Sequence, residues 1–182
     1  GQHKEMVLPL IEFFELKIDY SLDIMRPNQS LGGLSARSLD ALDVYLQEVR
    51  PDIVLVQGDT TTAMCAATAA FYRNIKVGHI EAGLHTYNIK SPFPEEFNRQ
   101  VISKITDLHF APTAQAQKNL VNENISEQNV FLTGNTVIDA LFFTQSKIQR
   151  DQNKYKKDFP WSANGNPFIL ITGHRRENFG LG

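Results

Sequence analysis

The sequence predicts an α/β fold built on a doubly wound parallel sheet, and three observations predict it. Short apolar runs alternate with helical patterns along the chain. The runs show little polar alternation, as expected of strands covered on both faces. The connections between them are short, which suits strand–helix–strand crossovers.

Each element follows in order. Gly1-Gln2-His3 reads as a loop leaving a strand outside the sequence. A helix is expected at 35–49, where Leu39, Leu42, Leu46 and Val49 recur at helical spacing and form one sheet-facing stripe. Ile53-Val54-Leu55-Val56 is the first strand and 60–73 the next helix. Val77-Gly78-His79-Ile80 is a second strand, followed by a helix at 95–105. Leu108-His109-Phe110 and Val130-Phe131-Leu132 are further strands, with helices at 114–123 and 136–149. Residues 150–158 form a polar, charged run, and Phe159-Pro160-Trp161 and Asn164-Gly165-Asn166-Pro167 supply turn signals. The expected layout is therefore a first domain over 1–149, a linker over 150–166 and the start of a second domain over 167–182. Phe168-Ile169-Leu170-Ile171 would be that domain's buried opening strand. Both ends look cut through α/β units, so a fragment is expected.

Composition narrows the function. The 182 residues are 42% hydrophobic and 21% charged with a formal net charge of -2, and the pI is near 6.2. A nucleic-acid binder would show a basic excess, so no nucleic-acid partner is expected. A single cysteine, Cys65, excludes a disulfide framework or a Cys-rich zinc module, and its setting among Ala63, Ala66, Ala67 and Ala70 points to packing. No apolar stretch is long enough to span a membrane and no signal-peptide pattern is present, so no membrane partner and a cytoplasmic location are expected. The five histidines show no metal-ligand spacing, and His109 reads as a core or strand residue. Neither GxGxxG nor a Walker A loop occurs, which disfavours dinucleotide and P-loop chemistry.

In a doubly wound sheet, ligands bind beyond the carboxyl ends of the strands, so the loops there carry the chemistry. Gly58-Asp59-Thr60-Thr61-Thr62 follows the first strand. Gly58 permits the turn, and Asp59 either caps the next helix or serves as an oriented carboxylate. His79-Ile80-Glu81-Ala82-Gly83-Leu84 puts a second acid at a strand end, where Glu81 caps the next segment, pairs with Arg99 or faces a ligand. Pro94-Glu95-Glu96-Phe97-Asn98-Arg99 opens a helix with two acids, which the helix dipole alone would favour. Three loops on one edge thus each present a carboxylate. Such a cluster can hold an acid and a base together. Gly173-His174-Arg175-Arg176-Glu177 adds a histidine and two arginines suited to a phosphate, or else a solvated basic turn.

These strings, with Thr133-Gly134-Asn135-Thr136-Val137-Ile138-Asp139-Ala140, occur in an order that closely resembles the non-hydrolysing UDP-N-acetylglucosamine 2-epimerases of bacteria and archaea. The resemblance spans essentially the whole chain. It implies two Rossmann-like domains facing across a cleft, the glycosyltransferase-B-like architecture. It also implies inversion at C2 of UDP-N-acetylglucosamine to give UDP-N-acetylmannosamine, an isomerase reaction with no redox cofactor and no metal. UDP is eliminated to leave a 2-acetamidoglucal and is then added back. By motif position Asp59, Glu81, Glu95 and His174 match the catalytic set, with Asp59, Glu81, His174 and Arg175 on the substrate. Asp59 and Glu81 would transfer protons, Glu95 would support them, and His174 with Arg175 would meet the diphosphate. Gln2, His3 and Arg37 match a regulatory site that some members carry, although Glu5 stands where those members have Gln. A homodimeric full-length parent and a role in cell-surface polysaccharide synthesis are further implications.

The family's first strand with its Gly-Thr-Arg-Pro-Glu loop is absent, as is most of the second domain, so the chain alone is expected to be inactive. Two other readings stand beside this one. The first is a related nucleotide-sugar epimerase or hydrolase acting on a modified sugar. The second is a non-catalytic nucleotide-sugar-binding module, which would have no need of four such residues together.

Overall fold

The computed structural model describes residues 4–165 and 167–171, and these form two compact units divided between Thr136 and Val137. The first unit holds α1 (Lys4–Phe13), α2 (Leu31–Val49), β1 (Ile53–Gln57), α3 (Thr61–Tyr72) and β2 (Lys76–Ile80). It continues with α4 (Glu95–Ile105), β3 (Leu108–Ala111), α5 (Ala114–Asn122) and β4 (Val130–Leu132). All four strands pair in parallel in the order β1-β2-β3-β4. This is the Rossmann-like α/β sheet that the apolar runs predict.

Sequential parallel order has a geometric consequence. Right-handed crossovers that all advance in one direction stack their helices on one face of the sheet. Val54 and Val56 of β1 and Val77 of β2 meet that layer, packing with Leu46 of α2, Ala63, Ala67 and Ala70 of α3 and Ile102 of α4. A second cluster joins Ala111, Val130, Ala116 and Leu120 at the β3–β4 end. The small residues of α3 let helix and strand backbones approach closely, and Cys65 lies fully buried among them. Burial raises the Cys65 thiol above its ordinary pKa, in keeping with a packing role. Arg73 closes the far end of α3 onto α2 with a forked pair of hydrogen bonds to both oxygens of Asp43, each 2.6 Å.

The two sheet faces are unequal. Leu55 and Phe131 point away from the packed layer and are 57% and 43% exposed, so the coverage of both faces expected from the runs is not met for these side chains. Gly78 lies on that side, where an added Cβ would come within 2.5 Å of Leu55 Cδ2.

Several boundaries differ from expectation. α2 begins at Leu31 rather than 35, because Ser30 caps it by accepting the Gly33 N–H (3.1 Å) and carries the helix through two glycines. The helix α1, with Pro9 inside it, was not expected at all.

The second unit holds α6 (continuing from Thr136 to Arg150), α7 (Gln152–Asp158) and a 3-10 turn over Pro160–Asn164. The stretch expected as a linker therefore contains a helix, with Asp151 as its cap. Phe168-Ile169-Leu170-Ile171 does not form the expected buried strand: no strand is present over 167–171, and Ile169 and Ile171 are 89% and 86% exposed. A strand needs a neighbouring ladder for its backbone groups, and this segment pairs with none of the described strands.

Candidate functional site

Parallel pairing places the ends of β1 and β2 side by side, with Gln57 opposite Ile80. The turns that follow are laced together. Gly58, at φ +70°, donates its N–H to the Ile80 carbonyl (3.0 Å), and its own carbonyl lies 2.8 Å from His79 Nε2. A left-handed turn here suits glycine, and a Cβ would sit 3.5 Å from Glu81 Oε2. The Glu81 carboxylate thus lies beside the turn that carries Asp59.

Asp59 does not cap α3. Thr60 does, accepting the Ala63 N–H (3.1 Å), which leaves the Asp59 carboxylate for other use. Arg99 takes it: Nε and Nη2 both donate to Asp59 Oδ2, at 2.9 and 2.6 Å. Asn98 Nδ2 donates to the Asp59 carbonyl at 2.8 Å. The start of α4 is therefore pinned to the β1 turn by two consecutive side chains. Asp59 Oδ1 has no hydrogen-bond partner among the described residues, and the side chain is 28% exposed.

Arg99 also reaches inward, donating through Nη1 to Glu96 Oε2 (3.1 Å). Glu96 is completely buried. It further accepts from the Thr86 N–H (3.1 Å), the Tyr87 N–H (3.2 Å) and Gln100 Nε2 (3.0 Å), and His85 Nδ1 stands 3.2 Å from it. Burial by itself would raise this carboxyl. The hydrogen bonds from Gln100, Thr86, Arg99 and His85 outweigh it and hold the group at about 2. Glu96 is thus a buried carboxylate with every lone pair engaged. Of the two adjacent acids at this helix start it is the structural one, whereas Glu95 is half-buried and its side chain makes no hydrogen bond to a described residue.

Glu81 has no hydrogen bond to a described residue either, so the pairing with Arg99 raised by the sequence is replaced by the Asp59–Arg99–Glu96 arrangement. Its backbone is left-handed, at φ +66°, an uncommon state for a side chain of this kind. Strain of this sort persists where surrounding contacts over-determine it. Here Ala82 donates its N–H to the Phe110 carbonyl (3.1 Å), and Asn119 Nδ2 donates to the Gly83 carbonyl (2.9 Å).

Below this edge, His79 and His109 lie opposite each other on β2 and β3, each 1% exposed, and the Nδ1 atom of each has no hydrogen-bond partner. Burial lowers both below the ordinary histidine pKa, His109 to about 4, so both are neutral at pH 7.

Of the sequence-predicted acids, Asp59 and Glu81 therefore stand in the turns after β1 and β2, and Glu95 opens α4, whose first turn is pinned to Asp59. His174, Arg175, Gln2 and His3 lie outside the described residues. Arg37 serves its own chain: Nε donates to the Ile24 carbonyl (3.1 Å) and Nη2 to Gln29 Oε1. Among the described residues no cluster of His, Cys, Asp and Glu is arranged to hold a metal, and no helix is long and apolar enough to cross a membrane. The sequence offers Arg99 as a partner for Glu81 rather than for Asp59, and singles out none of Glu96, Asn98 and His85 as partners; the one signal for the cluster is the spacing of Glu96, Arg99 and Gln100 on one helical turn.

Known proteins resemble this chain in sequence and fold. A UDP-N-acetylglucosamine 2-epimerase of Campylobacter jejuni is 46% identical over 193 aligned residues, covering 100% of this chain and 49% of the relative. A crystal structure of UDP-GlcNAc 2-epimerase from Neisseria meningitidis bound to UDP-GlcNAc superposes with a TM-score of 0.82 at 47% identity, covering 88% of this chain and 44% of that one. A Staphylococcus aureus structure solved with UDP gives a TM-score of 0.86 at 42% identity, covering 99% and 46%. The chain spans about half the length of the curated relatives it matches. The family model for UDP-N-acetylglucosamine 2-epimerase matches residues 1–182, and the chain belongs to that family.

Proposed function

We propose that the full-length protein is an isomerase that interconverts UDP-N-acetylglucosamine and UDP-N-acetylmannosamine. In the forward direction a carboxylate removes the C2 proton, the C1–O bond breaks with its electrons leaving on UDP, and a C1–C2 double bond forms. UDP then adds back at C1 as a proton is delivered to the opposite face of C2. The sequence is redox-neutral, so it calls on proton donors and acceptors and on cations for the departing diphosphate. Asp59 and Glu81 act in the proton transfers, Glu95 supports them, and His174 with Arg175 meets the diphosphate. Gln2, His3 and Arg37 belong to a regulatory site. Residues 1–149 form the first domain, 150–166 a linker and 167–182 the start of the second. The protein works in the cytoplasm as a homodimer, and the described chain alone is inactive.

The observation that carries this reading is the pair of acids at the ends of adjacent strands. Asp59 is fixed through Oδ2 with Oδ1 unspent, and Glu81 is held beside it in a left-handed backbone, in a chain of this family. The relative from Neisseria meningitidis, solved with UDP-GlcNAc, supports the choice of substrate. The test is proton NMR of the full-length protein with UDP-N-acetylglucosamine in deuterated water. Formation of the manno epimer with deuterium at C2 is expected. Intact protein that exchanges no C2 proton would refute the proposal.

A further inference from the structure

We propose that Arg99 is the positioning residue of Asp59, aiming its Oδ1 at the reacting carbon while Glu96 holds the guanidinium in place. This rests on the epimerase reading above and adds a residue to it.

Arg99 has Nε and Nη2 on one oxygen of Asp59 and Nη1 on Glu96, so every nitrogen of the fork has a carboxylate. An arginine serving the diphosphate would need a nitrogen facing the substrate, but this side chain is only 16% exposed and each of its three nitrogens is already on a carboxylate. It therefore acts on the substrate through Asp59. Two bonds converging on Oδ2 seat that oxygen in the notch between Nε and Nη2 of the guanidinium, a placement in the guanidinium plane that a single ammonium donor could not give. The anchor must itself be immobile. Glu96 meets that need, being fully buried and held by two backbone N–H groups, Gln100 and His85 as well as Arg99. The Asp59 backbone is fixed independently by Asn98. The result is a rigid support for one unsatisfied oxygen, the condition under which a small misplacement costs a large factor in rate.

The experiment uses the full-length protein with UDP-N-acetylglucosamine, following C2 exchange and turnover in Arg99→Lys, Arg99→Ala and Asp59→Asn. Arg99→Lys keeps the positive charge between two acids, so folding is retained, but it loses the fork. We expect kcat to fall about 100-fold while KM changes less than about threefold. We also expect added guanidinium ion to restore part of the rate of Arg99→Ala. A raised KM with unchanged kcat would assign Arg99 to substrate binding and overturn the proposal, as would near-parental kcat in Arg99→Lys. If Asp59→Asn is inactive while Arg99→Lys is normal, this inference alone fails. If Asp59→Asn is normal, the catalytic assignment of Asp59 fails and this inference with it. If the parent itself shows no exchange, the function reading fails first.

Discussion

Lowering the pH from about 7 to about 5 should cost this fold stability through its two buried histidines, and the share of His109 can be isolated. His109 is buried in β3 with its Nδ1 unpartnered, and burial, aided by the nearby His79, lowers its pKa to about 4. In the unfolded chain the ring titrates near its ordinary value of about 6.5. Between those two values the unfolded state carries a proton that the native state does not, so stability rises with pH across that window and is lost as pH falls through it. The limiting slope is about 1.4 kcal/mol per pH unit, and integration from about pH 7 to about pH 5 gives a loss of about 2 kcal/mol from His109. Glu96 works in the same direction but lower down, since its stabilisation is lost between its ordinary value of 4.5 and its native value of about 2. The assay is urea unfolding followed by far-ultraviolet circular dichroism at both pH values, in the parent and in His109→Gln. The variant starts less stable, but its pH dependence should be smaller by about 2 kcal/mol. If the variant keeps the full pH dependence of the parent, the argument from burial is wrong.

Three further outcomes follow from the same geometry. Gly83→Ala should destabilise by about 3 kcal/mol or more, because φ is +83° and the new methyl would lie 2.2 Å from the Ala116 carbonyl oxygen; thermal melting checks it. Thr60→Ala removes the α3 cap and should cost about 1 kcal/mol by chemical denaturation, with Asp59 unable to substitute while Arg99 holds it. Glu81→Gly should relieve the left-handed backbone and leave the fold equally stable or more stable by up to about 1 kcal/mol, while abolishing C2 exchange in the full-length protein. A loss of stability in that variant would mean that the Glu81 side chain serves the fold.

Apolar runs located all four strands, because strands of a parallel sheet need few polar positions, and the helices between them followed from spacing. Elements stabilised mainly by their own caps were harder to see. α7 sits in a run of lysines with nothing buried, and α2 reaches back through Gly33 only because Ser30 accepts its N–H. Uneven burial of the sheet was hidden as well, since Leu55 and Val56 look alike in sequence and differ only in the face they present. At the site, acids at strand ends were legible, because topology alone puts such residues on one edge. Their partners were not. Glu95 and Glu96 are neighbours of identical charge, and only the rotation between successive helical positions sends Glu96 into the interior. The contact of Arg99 with Asp59 spans 40 residues and depends on where α4 docks.

The contact between Gly83 and Ala116 also bears on how this site adapts. The loop after Glu81 rests on α5 with the Gly83 backbone against the Ala116 carbonyl and the Leu120 side chain beside it, latched by Asn119. A side-chain interface tolerates gradual change, because a larger residue on one surface is matched by a smaller one opposite. Here the backbone contact leaves little room for such exchange, and a shift of α5 bears directly on the loop that follows Glu81. The first turn of α5 is accordingly a place from which the aim of Glu81 can be retuned without touching the loop that carries it.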